Sequence, residues 1–371
     1  MKFLRKVPAI PREIIFEVFS WLPVKSLTRF RCVSKICNSL VSELDFVNIH
    51  QCRSVTRPGG TKLLAREKNA LYIIEQDGVG KASFLHIDDF DELCTSFGST
   101  ATNLECVNGL FCCWRTGQQP ILICNPSTRK VRFLPSIDVN HVMCHYSFGF
   151  EPEEKVYKVL FTCIESFTNG YSDIYTRNWV FTLGGTNISW KEIENIPQFY
   201  CFTGGVCING VICLLNGFHR KKNIVAFDLK TESSRAITLW EALHHTKLQY
   251  NLMEVKGKLA ILENKKNGEF NLWILEKDQH EEWERHIIIG FPLVYKEMKF
   301  HSMHFCPPTY DGEIIFVDKV SCKKFSYLSY DITRKTWRKR QVKGLLEKYS
   351  IEGIYRCVES LFPLKTFCNQ V

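Results

Sequence analysis

The chain has little that would carry it into or across a membrane. Its start, MKFLRKVPAI, lacks an apolar core of signal-peptide length and meets a proline at position 8, so no secretory leader is expected. The one long stretch without Lys, Arg, Asp or Glu, Asn195 to His219, is broken by Pro197, Gly204, Gly205, Asn209, Gly210, Asn216 and Gly217. It reads as two buried strands joined by an Asn-Gly turn, not as a span. No G-x-S-x-G, P-loop or H-E-x-x-H motif is present, which removes the common sequence signatures of serine hydrolases, nucleotide hydrolases and zinc peptidases. Two sets of candidate metal ligands, His141/Cys144/His145 and His301/His304/Cys306, lack the paired C-x-x-C spacing of structural zinc sites, and ligands on a strand alternate faces. No metal or cofactor is expected.

What the chain does have is 371 residues, 45% of them apolar and 23% charged, enough for a small module and one larger domain. Aromatic residues at 13% favour sheet, because rings pack well on a pleated surface. There are seventeen cysteines, many inside apolar runs such as LFCCW (Leu110–Trp114) and GVICLL (Gly210–Leu215). With no leader they are expected to be free thiols in a reducing compartment, behaving as small buried hydrophobes. The net charge of +9 is unevenly spread. Residues 1–50 hold eight Lys/Arg against four Asp/Glu, so the first segment is far more basic per residue than the rest. That field suits an acidic partner.

Periodicity divides the chain near residues 50 to 60. Pro11 and Glu13 suit the start of a helix, and Ile14, Ile15, Val18, Phe19 and Leu22 recur at helical spacing until Pro23. A second short helix is expected over about Lys25 to Arg31 and a third from Ser34 to Leu44. Gln51 to Lys62, with Pro58, Gly59 and Gly60, reads as a loop. Three short helices cannot enclose much core, so part of their apolar surface is expected to be covered by a partner or by the larger domain.

The run Ile10 to Phe46 resembles an F-box, through Ile10-Pro11, Leu22-Pro23-Val24-Lys25-Ser26-Leu27 and Arg31-Cys32-Val33-Ser34-Lys35. The resemblance implies a helical module that docks on a Skp-type adaptor, and through it on a cullin, with Ile10, Pro11, Ile14, Leu22, Pro23, Leu27, Val33 and Lys35 as the adaptor-binding residues. Adaptors of this type are acidic. Cys37 stands where the family usually has Trp, a loss of buried area worth about 2 kcal/mol.

Beyond the loop, Asn108-Gly109, Asn209-Gly210, Lys256-Gly257 and Asp311-Gly312 mark tight turns between apolar runs. Each is followed, 16 to 19 residues after its glycine, by Asn125, Asp228, Glu276 or Asp331, which marks two hairpins per unit. With a unit over Phe148 to Ile193 and an opening unit over Leu63 to Phe90, the period is near fifty residues. That predicts a propeller of about six four-stranded, kelch-like blades, closed by Tyr355 to Phe362 pairing with the first unit. NGLFCCW with ILICNPSTRKVRFLP, then YSFGFEPEEKVYKVLF, then VCINGVICLL also resemble the F-box-associated domain of plant F-box proteins.

The expected organisation is therefore a small all-α F-box domain over 5–50, a linker over 51–62 and an all-β propeller over 63–365. The resemblance implies a non-catalytic substrate receptor of a Skp-cullin-F-box ubiquitin ligase, in the cytoplasm or nucleus, holding a protein target on its propeller. One alternative is a scaffold or lectin-like protein whose F-box docks weakly because of Cys37. Another is a propeller hydrolase using acids among Asp88, Asp89, Asp91 and Glu92, which read as a solvated loop. Lys221-Lys222, Lys265-Lys266, Lys323-Lys324 and Arg338-Lys339-Arg340 are read as wet turn surface, not as a nucleic-acid track.

Overall fold

The computed structural model describes residues 10–364 apart from 68–69, 75–79, 88–101, 116–117, 139–142, 169–172, 185–188, 195, 197–198, 200, 202–203, 217–222, 240–249, 265–269, 278–280, 289–302, 307–311, 319–324 and 345–350. Two prolines set the first helices. Pro11 and Pro23, both extended at ψ near 145°, stand at the N-caps of α1 (Arg12–Ser20) and α2 (Val24–Val33). Pro11 thus precedes the helix it was expected to begin. Ser34 caps α3 (Lys35–Ser42), its hydroxyl accepting from the Cys37 N–H at 3.4 Å.

A fourth helix, α4 (Leu44–Thr56), runs through the first half of the segment read as a loop. Only residues 57–60 separate it from the first strand. The misreading has a physical cause: α4 buries the polar side chains His50, Gln51 and Ser54 on its inner face, so its pattern is not that of an apolar stripe. Gln51 Nε2 donates to Asn108 O at 2.6 Å and to the Tyr157 hydroxyl at 3.2 Å, which meets the cost of burying it.

Strands follow in fours. Blade one holds β1 (Thr61–Glu67), β2 (Ala70–Ile74) and β3 (Gly80–Leu85). Blade two has β4 (Thr102–Val107), β5 (Leu110–Arg115), β6 (Gln118–Asn125) and β7 (Lys130–Phe133). Blade three has β8 (Met143–Glu151), β9 (Val156–Thr168), β10 (Asp173–Leu183) and β11 (Lys191–Ile193). Blade four has β12 (Val206–Ile208), β13 (Val211–Asn216), β14 (Asn223–Asp228) and β15 (Ser233–Thr238). Blade five has β16 (Tyr250–Val255), β17 (Lys258–Asn264), β18 (Phe270–Lys277) and β19 (Glu282–Ile288). Blade six has β20 (Met303–Cys306), β21 (Glu313–Asp318), β22 (Ser326–Asp331) and β23 (Thr336–Lys343).

The last strand, β24 (Ile351–Val358), lies antiparallel to β1 and gives blade one its innermost member, so the chain's end closes the ring on its beginning. This is the six-bladed arrangement expected, closed by a strand that begins four residues before the segment foreseen. Blades six and one are also joined at their rims, where β23 pairs in parallel with β3 through Val342–Gly80 and Lys343–Lys81. The acid-free stretch is indeed the β12–β13 hairpin turning at Asn209-Gly210, and no described helix is long and apolar enough to cross a membrane. Every described cysteine is a free thiol.

Turn chemistry follows the sequence. Asn108, Asn209 and Lys256 carry φ of 45°, 48° and 50° ahead of their glycines. Gly109 has no room for a side chain, since a Cβ there would lie 2.2 Å from Val358 O of the closing strand. Asn125, Asp228 and Asp331 each accept from the N–H groups two and three residues on, at 2.8 to 3.3 Å. Glu151 makes the corresponding turn in blade three. Glu276 does not; it lies inside β18, and the positive φ of that hairpin falls on Glu281.

The helical module sits against the end of the ring where these turns gather. Val24, Leu27, Leu40, Val41, Phe46 and Val47 share one core with Leu110, Trp114, Tyr146, Phe148 and Tyr157 of blades two and three, and with Leu361, Phe362 and Leu364 beyond β24. Glu359 ties the three parts together. It accepts from the Val24 N–H at 3.1 Å, the Arg57 guanidinium at 2.5 Å and the Lys62 ammonium at 2.8 Å, while its own N–H donates to Gly60 O at 2.9 Å. Burial pushes the Glu359 carboxyl up, but Lys62, Val24 N–H and Arg57 outweigh it and hold the group below its ordinary 4.5.

Two outcomes follow from this arrangement. A chain ending at Gly344 lacks the inner strand of blade one and the floor of the helical module; it is expected to be insoluble or to melt without a cooperative transition in a thermal scan. Because the folded-state value of Glu359 is depressed, its contribution is present above 4.5 and disappears as pH falls through that lower value. Glu359→Gln should cost about 3 kcal/mol at neutral pH and flatten the acid limb of stability, read by urea unfolding at a series of pH values.

Candidate functional site

The outer side of the helical module is a surface that no other described residue covers. Ile10 and Ile14 are 64% and 53% exposed, and Val33 is 79% exposed. Pro11, Pro23 and Lys35 are exposed as well. Leu22 is half-buried against the shared core, and its carbonyl lies 2.9 Å from His50 Nε2. Leu27 corrects the sequence reading. At 0% exposure it is core, closed to any partner, because α2 turns that side chain toward the propeller beside Val24.

Four large side chains missing from the expected set complete the surface: Val18, Trp21, Phe30 and Ile36, all exposed. Ile14, Val18 and Trp21 lie at i, i+4 and i+7, a single stripe along α1 and its C-cap, with Ile10 just ahead of its N-cap. Phe19 stacks on Phe30 at 5.1 Å between ring centroids, which ties α1 to α2. The signal for Val18 was present in its helical spacing. For Ile36 it was not, since periodicity says which residues share a face and not which face the propeller takes.

His50 supports this surface from beneath. Burial lowers its pKa, so the imidazole is neutral and Nε2–H donates to Leu22 O at the corner between α1 and α2. Cys37 is half-buried at the start of α3, and its backbone N–H serves the Ser34 cap.

Elsewhere the ring shows polar groups used as fasteners. Glu105 on β4 accepts from Phe148 N at 2.7 Å and Gly205 N at 2.9 Å, linking blades two, three and four, and burial pushes its carboxyl up to about 8. Gly204 lies close beside it, and a Cβ there would come 2.8 Å from Glu105 Oε1. Cys144 faces Cys163 across the β8–β9 pair, whereas His145, the next residue, is opposite Thr162. Burial drops His145 to about 4, and its Nε2 lies 3.2 Å from Ser147 Oγ. Among the described residues no three His, Cys, Asp or Glu side chains are grouped to hold a metal ion. His141, His301, the side chains of His304 and Cys306, the acids at 88–92 and the three lysine pairs lie outside the described residues. Of the basic residues 338–340, Arg338 pairs with Glu313 at 3.3 Å on the rim of blade six.

Comparison with known proteins matches both parts. Residues 8–55 match the F-box domain and residues 66–371 the F-box associated beta propeller domain. F-box protein At2g21930 of Arabidopsis thaliana is 29% identical over 365 residues, covering 91% of this chain and 87% of its own. F-box protein At1g30790 of the same plant is 28% identical over 382 residues, covering 95% and 94%. Among solved structures, TolB from Acinetobacter baumannii superposes with a TM-score of 0.48 at 11% identity, over 87% of this chain and 73% of that one, a likeness too distant to bear on function. An F-box ahead of such a propeller is, in general, the architecture of a substrate-recognition subunit of an SCF-type ligase. With its helices matched to the first domain and its six blades to the second, this chain belongs to the plant F-box proteins that carry an F-box associated β-propeller.

Proposed function

We propose that this protein docks through the exposed outer side of its F-box on a Skp-type adaptor, joins a cullin ligase through it, and presents a protein target held on the propeller. The observation that carries the reading is the exposed apolar set Ile10, Ile14, Val18, Phe30, Val33 and Ile36: with Trp21, Leu44 and Ile49, nine of the thirteen large apolar side chains exposed among the described residues lie on the helical module. Exposed apolar patches of this kind mark interaction sites. Basic residues Lys25, Arg29 and Lys35 stand exposed on the same module, which suits an acidic adaptor.

In this role the chain performs no bond chemistry. It raises the effective concentration of the target's lysines near a charged conjugating enzyme carried by the other subunits, and it acts in the cytoplasm or the nucleus. A rigid joint between F-box and propeller serves that task, because a fixed geometry confines the target to a small volume.

Co-purification of the full chain with a Skp-type adaptor tests the reading. Ile14→Asp together with Val33→Asp places two charges in the exposed set without touching the core, and should weaken the complex about a hundredfold, ~1.4 kcal/mol per tenfold, with no change in melting midpoint. Absence of a complex for the unmutated chain would favour the scaffold role outside a ligase.

A further inference from the structure

Trp21 is the single tryptophan of the first fifty-six residues, and it is 46% exposed at the C-cap of α1. An exposed indole of this size ordinarily samples several rotamers. This one is held from three sides. Its Nε1–H donates to Glu17 Oε1 at 3.2 Å, and the Arg53 guanidinium of α4 lies over its ring at 4.8 Å from the centroid. Its backbone carbonyl accepts from Arg57 Nη1 at 2.9 Å, the same arginine that meets Glu359.

The charges of the clamp are paired within it. Arg53 gives one arm to Glu17 Oε2 at 2.8 Å and the other to Glu17 O at 3.2 Å and to the Ser20 hydroxyl. Arg53 and the indole N–H, both donating to it, hold the Glu17 carboxyl below its ordinary value, so it stays ionised and accepts from both. Covering this group with a partner would therefore leave the indole N–H bonded and the Arg53 charge paired with Glu17, which lowers the usual penalty for burying a Trp or an Arg at an interface. Holding the ring in one orientation beforehand also removes much of the ordering cost of binding.

Its place fits an interface. Trp21 continues the stripe of Ile14 and Val18 at i+7 and i+3, at the corner where Leu22-Pro23 leads into α2. Cys37, by contrast, offers little area on α3.

We propose that Trp21, clamped by Arg53 and Glu17, is a pre-organised aromatic anchor for the Skp-type adaptor and supplies apolar contact area that Cys37 lacks. The proposal rests on the adaptor-docking reading above. Arg53 acts as a positioning residue, through the indole.

Titration calorimetry of the full chain against a purified Skp-type adaptor tests it. Trp21→Ala is expected to weaken binding at least about tenfold and Trp21→Phe to restore most of it, since the ring face is what the partner meets. Arg53→Met is expected to weaken binding about threefold in the native background and to do nothing further in the Trp21→Ala background, the non-additivity of a positioning role. Thermal melting of each variant separates loss of the anchor from loss of fold. Equal affinity for Trp21→Ala and the unmutated chain, or an Arg53→Met effect that persists without Trp21, would overturn the anchor while leaving the docking reading intact. An unmutated chain with no affinity for the adaptor would overturn both.

Discussion

The structure depends on one constraint: a single C-terminal segment, residues 351–364, must be in two places' service at once. As β24 it is the inner strand of blade one, and without it that sheet would present an open inner edge to the channel. Immediately after, Glu359, Leu361, Phe362 and Leu364 turn under the F-box. Asn125 Nδ2 donates to Ser360 O and Phe362 O at 3.1 Å, and Ser360 N donates to the Ser127 hydroxyl at 3.1 Å, so the turn of blade two grips the same segment. Ring closure and F-box seating are therefore one event. Pairing β1 with β24 joins the two ends of the propeller sequence, a contact of high sequence separation that is slow to form and gains its reward only when the ring is complete.

Between blades, apolar faces supply most of the adhesion, but the inner ring is held in register by polar side chains that reach across. Glu105 does this for blades two to four. Cys106 Sγ donates to Arg356 O at 3.1 Å between blades two and one, and Cys207 Sγ meets the backbone of Phe150 between blades four and three. Lys158 Nζ crosses from blade three to Leu229 O at 2.6 Å and to Glu232, which also takes Lys191. Each spends a buried polar group on a neighbour's backbone, where an unpaired N–H or C=O would be costly. The cysteines read at first as inert apolar filler are in part hydrogen-bonding residues.

A receptor of this design separates two tasks. Turns gather at the F-box end, and α4 with its C-cap joins the ring through polar contacts, Gln51 to Asn108 and Arg57 to Glu359, that set orientation as well as adhesion. A joint made only of greasy surface would allow sliding. One made of directional bonds fixes the angle between F-box and propeller.

The amino-acid pattern alone determined the two-part organisation, the near-fifty-residue period, the positions of the X-Gly and Asx turns, and the free thiols, because these arise from local backbone preference and from spacing that survives in one dimension. It also determined that the early helices carry more apolar surface than they can bury themselves. What only the tertiary structure decided is which of those side chains are spent inside. Leu27 and Val33 stand on the same helix with similar hydropathy, yet one is core and the other faces water, since the choice belongs to where Glu359 and Phe362 seat the module. The fourth helix was hidden for the same reason: His50 and Gln51 are buried on partners far along the chain, Leu22 O and the Asn108 carbonyl with the Tyr157 hydroxyl, and no local pattern encodes them.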